Sequence, residues 1–485
     1  MIAQWQAIDL TALPPTLQQQ SEHLLPMLTF ARDSLDLALV LPDMLGVSER
    51  RDYLFIAQNE DERRATGGFI SAVGTMSFEQ GQLTALTVDH TDVFTGGPYP
   101  PPPLPFQRYM GIQLWVFRDG NWSPDVPTAA RTLLQLYQIE HGTRPSHLLA
   151  FNQTALRLLL QATGPVVVEG QSTPVSATTL SAYIRTEYDR SIETGVHRKA
   201  FLGPLLQAII ARIQHESASI DLLTLATALK QALDERHLLL YTPDRDAARA
   251  LANLGWDGAV HPGDQDFLLL VDSNMGYSKA NVYIDQAITY TVDLRNPTMP
   301  TAMLAIQHHH TLASATPQFC PHWSEQPLPA DMPSRYAALT DRCYWNALRV
   351  FTPPGSTLID ATSQPPAGSW GLPDLDDGVV TSAAGERATQ VFATFLVVPP
   401  GGVRETVLRY QLPAGVLRAQ ADGWHYQLKL QKQAGQEAIP VQVEVLLPAT
   451  AQVLDTGGLG AVKDGNQLQG TLQLNHDQTL DVSFR

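Results

Sequence analysis

Charged side chains in this sequence gather in three places. In NEDERRATGGFI, Glu62, Arg63 and Arg64 stand immediately before Gly67 and Gly68, where a strand end meets a backbone position open to close approach. Such a corner can hold an anion against peptide N–H groups, and it can equally be a plain turn with solvated arginines. In VDHTDVF and FRDGNWSPD, the residues Asp89, Asp92, Arg118, Asp119, Asn121 and Asp125 fall at predicted strand ends, where α/β proteins place ligands. Asp and Asn are also common turn and cap residues, and capping is the favoured role for Asp125. In YIRTEYDRSIETGVHRK, the residues Arg185, Glu187, Asp189, Arg190, His197, Arg198 and Lys199 crowd between two predicted helices. There the choice is between a solvated helix end and a basic loop that receives an anion. Arginine forks neutralise phosphate or carboxylate oxygens, and paired carboxylates hold a divalent cation, so the chemistry within reach is that of a phosphate-handling site.

Other chemistries lack their signatures. The sequence has no G-x-S-x-G elbow, P-loop, dinucleotide glycine fingerprint or H-E-x-x-H helix. His197 reads as a loop histidine rather than a general base. The run His308, His309, His310 lies in an alternating strand pattern, and the cysteine spacing does not suit a zinc finger. A formal net charge of -16, with only 6 Lys beside 26 Arg, excludes a general nucleic-acid binder. Cys320 and Cys343 flank a Pro-rich segment. A disulfide between them would indicate an oxidising compartment, whereas two buried thiols would not.

The elements that must position these residues follow from periodicity. Residues 1–47 read as a helical lead, with apolar positions at helical spacing in LLPMLTFARDSLDLALVLPDML. YLFIAQNE, ATGGFISAVGTMSF and GQLTALTVDHTDVF read as neighbouring strands. TGGPYPPPPLP is too rich in proline for a helix or inner strand and is expected as an exposed loop or lid. SPDVPTAARTLLQLYQ starts a helix with a cap and an early proline, and further helices alternate with the strands VVVEG and HLLLY. This interleaving gives a three-layer α/β core over 48–275. Beyond it, segments such as YIDQAITYTVDL, TAMLAIQHHHTL and PVQVEVLL alternate strictly, so 276–485 is expected to be an all-β, immunoglobulin-like β-sandwich of one or two subdomains. No apolar run reaches 18 residues, and the first 25 residues carry no signal-peptide pattern.

Several blocks resemble family 4012 of the bacterial domains of unknown function: QNEDERRATGGFIS, RDGNWSPDVPTAA and LLLQATGPVVV, then HRKAFL, LGWDG, VDSNMGYSK and YQLKLQKQAG. The resemblance implies an outward-facing cell-envelope protein, anchored in that family by an N-terminal membrane helix that this sequence lacks. The α/β region is also similar, more distantly, to the LytR-CpsA-Psr family, which transfers glycan phosphates from polyprenyl carriers. Arg64 in RATGGFI stands where that family has the Arg of its R-S-D-T strand, and Asp92 stands near the Asp of its P-R-D block. Ala65 and Thr66 replace Ser and Asp there, Thr91 replaces an Arg, and Lys199 with Ala200 replaces a Gln pair. The resemblance implies that Arg64, Asp92 and Arg198 are catalytic. TTLSAYIRTEYDR resembles that family's segment ending in Y-x-R-x-R and VHRKAFL its R-x-x-R-Q-Q helix start, which implies that Arg185 and Arg198 clamp phosphate oxygens, that Asp92 and Asp89 hold Mg²⁺, and that Leu-rich helices line a lipid tunnel. The charge clusters themselves make Arg118, Asp189, Arg190 and Lys199 expected substrate contacts beside Arg185. The implied partner is a polyprenyl-phosphate lipid or a cell-wall glycan. The competing expectation is a non-catalytic envelope module that binds lipid or glycan.

Overall fold

The computed structural model describes residues 34–89, 91, 93–194, 201–215, 219–313, 320, 334–363, 379–463 and 466–485. The lead is helical over 34–44 (α1), and its Met44 packs on Ala247 and Leu251. The apolar run YLFIA becomes β1 (Arg51–Asn59), buried on both faces from Tyr53 onward and therefore central. With β2 (Phe69–Glu79), β3 (Gln82–Asp89), β4 (His147–Asn152) and β5 (Leu238–Tyr241) it makes a five-stranded sheet ordered β3-β2-β1-β4-β5. The β1–β4 pair is parallel, with Tyr53 opposite His147 and Gln58 opposite Asn152, so both strands end at the same edge. The other pairings in this sheet are antiparallel.

Helices cover both faces. After α2 (Leu104–Met110) comes α3 (Val126–His141), which opens on Asp125, whose carboxylate accepts from Thr128 N, and closes at Gly142 with φ 74. Its Leu133, Leu134 and Leu136 pack with Leu54, Ile56 and Val73 on one face of the sheet. On the other face α4 (Gln153–Thr163), α5 (Leu180–Thr194), α6 (Leu202–His215) and α7 (Leu222–Asp234) enclose Phe55 and Phe151. Three layers result, as alternation predicts, and α8 (Arg245–Asn253) closes the lead against this half. The proline tract does not stay loop to its end. Leu104 and Pro105 begin α2, because proline in the first helical turn forfeits no hydrogen bond.

The C-terminal half is a sandwich of a seven-stranded and an eight-stranded sheet, joined by one core that includes Tyr290, Tyr344, Tyr410, Tyr426 and Phe392. In β7 (Ile284–Asp293) and β8 (Thr301–His310) inward and outward residues alternate, as the pattern predicts. The strand β6 (Asp266–Asn274), which periodicity groups with the α/β part, instead pairs antiparallel with β9 (Tyr344–Thr352) and parallel with Trp424–Gln431. Every residue of β6 is buried, so it lacks the alternation that marks its neighbours. Cys320 and Cys343 form a disulfide with a Cα–Cα distance of 5.8 Å. Cys343 lies between the short helix α9 (Arg335–Thr340) and the start of β9.

The two halves are locked by three of the motifs singled out above. Asn274, in VDSNMGYSK, donates its N–H to Arg63 O at 2.9 Å. The loop Lys432–Gln436, in LQKQAG, enters the α/β half, where Ala434 joins the core around Ile56 and Val73. Gly435 there has φ 71, and a Cβ would lie 2.1 Å from Gly67 O, so only glycine fits. Arg236 adds a two-pronged contact to Asp477 at 3.1 and 2.7 Å.

Candidate functional site

The tandem Arg63–Arg64 sits at this seam, and the two side chains do opposite things. Arg64 has no exposed surface. Its guanidinium donates to Asn274 O across the seam and to Glu62 Oε1 at 3.1 Å, lies 3.9 Å from Asp119, and stands over the Phe69 and Phe106 rings. Gln433 Nε2 braces the same point by donating to Arg64 O at 3.2 Å and to Asp272 O at 2.8 Å. This guanidinium, whose Nε alone lacks a hydrogen-bond partner, ties the two halves together and is enclosed in the seam rather than lining the cleft between the halves. The anion corner expected at Gly67 and Gly68 is a closed turn. Asn121 Nδ2 fills it, donating to Gly68 O, Gln58 Oε1 and Thr66 Oγ1 at 2.9, 2.9 and 3.0 Å.

Arg63 turns the other way, to a cleft of about 550 Å³ between the halves. Its partner there is Asp272, at a long 3.7 Å. That carboxylate is already engaged by Asn346 Nδ2 at 2.7 Å, by His308 Nε2 at 3.1 Å and by Gln286 Nε2 at 3.4 Å. Burial alone would raise the Asp272 pKa, but His308, Arg63 and Asn346 together hold it below the usual carboxylate value. Gln153, Arg157, Arg185, Gln307 and Gln436 extend the polar lining, with Asp285, Glu437 and His309 at the sandwich side.

At the edge where β1 and β4 end, the cleft abuts a second cluster. Tyr336, carried by α9, is buried; its hydroxyl donates to Asp61 Oδ2 and accepts from Asn59 Nδ2 at 3.1 Å. Arg185 lies over the Tyr336 ring at 5.5 Å and 3.8 Å from Asp61. Asp189 accepts from Tyr336 N at 2.9 Å and from Ser334 Oγ, which makes it an anchor for α9 rather than a substrate group. Glu60 accepts the N-terminal N–H groups of α4 from Gln153 and Thr154 at 3.0 and 2.9 Å. Burial, with the Asp61 charge beside it, pushes its carboxyl up to about 7. Lys279 sits behind Tyr336, its ammonium 4.9 Å from that ring and 5.8 Å from the Tyr188 ring, and burial lowers its pKa. Beside it, between sheet and helices, Phe151, Leu156, Ile184 and Phe201 line an apolar space of about 40 Å³. That is room for a water or two, not for the expected lipid chain.

Of the other expected residues, those that are described, Arg118, Asp89 and Arg190, lie apart from the cleft. Arg118 belongs to the turn Phe117–Asp119, on the α3 face of the sheet, with its guanidinium over Phe94 at 5.6 Å; Arg185 is on the opposite face. Asp89 accepts from Tyr137 Oη at 3.0 Å, and among the described residues no three His, Cys, Asp or Glu side chains gather as metal ligands. Arg190 pairs with Glu187 at 2.8 Å on the surface of α5. Asp92, Arg198 and Lys199 lie outside the described residues. Arg157, Tyr336, Lys279 and His308 were not among the expected site residues. For Arg157 and Tyr336 the sequence offers little signal, since both gain their place only when the halves dock. Lys279 sits in a quoted motif, and His308 alternates inward on β8 between Gln307 and His309.

Comparison with known proteins adds the following. The family described as "Protein of unknown function (DUF4012)" matches residues 48–188, which carry β1, the tandem arginines and most of α5. No curated protein matches the sequence. Among solved structures, the chain is similar to a Streptococcus agalactiae protein at 12% identity and TM-score 0.31, over 43% of this chain and 74% of that one. It is also similar to a Bacillus subtilis transcriptional regulator at 8% identity and TM-score 0.26, over 42% and 75%. An Enterococcus faecalis transcriptional regulator gives 13% and 0.26, over 43% and 72%. Among the described residues no helix is long and apolar enough to cross a membrane.

Proposed function

We propose that this chain is an extracytoplasmic binding module of the bacterial cell envelope, which takes a glycan in the cleft between its α/β and β halves. The observation that carries the reading is the cleft's chemistry: the exposed Gln307 amide stands with arginines and with the Gln153, Gln286 and Gln436 amides, which bond one another and their neighbours, in a space large enough for several sugar units. Amides both donate and accept, which suits sugar hydroxyls. The Cys320–Cys343 disulfide supports an oxidising compartment. Transfer from a polyprenyl carrier draws less support, because Arg64 is sealed and the apolar space beside Lys279 is too small for an isoprenoid chain.

Calorimetric titration of the full chain with short neutral oligosaccharides of hexose and of N-acetylhexosamine tests the reading. Saturable binding is expected for at least one series, weakened about three- to tenfold by Gln307→Ala, an exposed change that removes one amide from the cleft. Absence of binding across both series, or binding indifferent to Gln307→Ala, contradicts it.

A further inference from the structure

We infer that the ligand of this cleft carries an anionic group, a carboxylate or a phosphate monoester, which seats against Arg63, Arg157 and Arg185; the inference rests on the glycan reading above and narrows it to acidic glycans. The first support is an unmet donor. The Arg63 side chain is only 9% exposed, it lines the cleft, and its Nε has no hydrogen-bond partner. Its one carboxylate contact, Asp272 at 3.7 Å, is too long for a hydrogen bond and is already shared among His308, Asn346 and Gln286. A buried N–H left without an acceptor is costly. Arg64 Nε shares that deficit but is enclosed, whereas Arg63 borders open space from which a ligand can supply the acceptor.

The second support is that the same deficit recurs on the opposite wall. Arg185 Nε is likewise buried and unpartnered, and among the described residues Arg157, one turn into α4 from Gln153, has no ion-pair partner. The acids facing the three guanidiniums do not cancel them. Asp61 accepts the Tyr336 hydroxyl and the Arg185 contact. Glu60 is bound to the start of α4, and burial with the Asp61 charge pushes its carboxyl up to about 7, so near neutral pH it carries only part of a charge. Asp285 and Glu437 are exposed at the rim, where water screens them, and His309 faces the cleft from β8. A planar or tetrahedral oxyanion offers several acceptors at once and matches guanidinium forks in a way that a neutral hydroxyl does not.

The test is a titration of the full chain at low and at moderate salt with three probes of equal length: a neutral oligohexose, an oligogalacturonate, and an oligohexose bearing a terminal phosphate. Inorganic phosphate serves as a fourth. Wild type is expected to bind at least one acidic probe ten times or more tighter than the neutral one, with the preference shrinking as salt rises. Arg157→Gln should erase most of that preference and Arg157→Lys should restore part of it, since the change lies on a half-exposed helix face and spares the fold. Whether the uronate, the phosphate ester or free phosphate is preferred identifies the source of the anion. Equal affinity for neutral and acidic probes, or a preference untouched by Arg157→Gln, overturns this inference and leaves the glycan reading standing. No binding of any probe overturns both.

Discussion

Arg63 and Arg64 are neighbours in sequence and opposites in environment. Arg64 enters a closed seam where a backbone carbonyl, a carboxylate and two aromatic rings meet its guanidinium. Arg63 faces a cleft where its partner is distant and over-committed. The seam and the cleft are built from the same motifs, so motif identity alone does not separate a structural arginine from a binding one. The surroundings of the unmet donor do: each Nε lacks a hydrogen-bond partner, but Arg64 is enclosed with no exposed surface, whereas Arg63 lines open space that can supply an acceptor.

The largest effect should come from breaking the closed side. Arg64→Ala leaves Glu62 and Asn274 O facing a cavity, and about 4 kcal/mol of stability should be lost in urea unfolding. A loss under 1 kcal/mol would show that the seam does not depend on this charge. Next comes the disulfide. Cys320 and Cys343 close a loop with sequence separation 23, and reduction or Cys320→Ser should cost about 3 kcal/mol by relaxing the constraint on the unfolded chain. An unfolding midpoint that is the same with and without reductant would remove that contribution.

A third effect is read by pH. Asp266 is buried in the sandwich core, where it accepts from Tyr290 Oη and Tyr426 Oη at 2.7 and 2.6 Å, and burial raises its pKa to about 6 despite those bonds. The native state therefore holds this proton more tightly than the unfolded chain, whose value is 3.8. The stability from that proton is complete below pH 3.8 and is lost as pH rises through about 6, a change of about 3 kcal/mol. Asp266→Asn should flatten that part of the stability profile; an unchanged slope there would place the titration elsewhere. Smaller again is Tyr336→Phe, which removes the hydroxyl between Asp61 and Asn59 and should cost about 1 kcal/mol. Last, Arg157→Gln on the cleft wall should shift stability by less than about 0.5 kcal/mol while altering ligand preference. A larger loss from Arg157→Gln than from Arg64→Ala would invert the contrast between cleft and seam.

The sequence already shows much of this architecture. Alternation marks β7 and β8, the Asp125 cap and early proline mark the start of α3, and the apolar run from Tyr53 marks a central strand. It misplaces β6, because a strand buried on both faces loses the alternation that separates a sandwich from an α/β core. The site is less legible. Arg185 lines the cleft, but Arg118 and Arg185 fall on opposite faces of the sheet, and Asp189 anchors α9. Arg63 reads as half of a basic pair, and nothing in ERRATGG says which arginine is sealed. That distinction depends on Asn274 and Gln433, which lie some 210 and 369 positions away along the chain. Docking of the two halves, not local sequence, decides it.

The most direct test of the contrast is arginine-selective labelling of the native chain with phenylglyoxal, read peptide by peptide by mass spectrometry, with and without an acidic oligosaccharide. Arg157 and Arg185 should label and then be shielded by the ligand, while Arg64 stays silent under both conditions. Labelling of Arg64 at the rate of Arg157, or shielding confined to Arg118, would contradict the assignment of the cleft as the binding site.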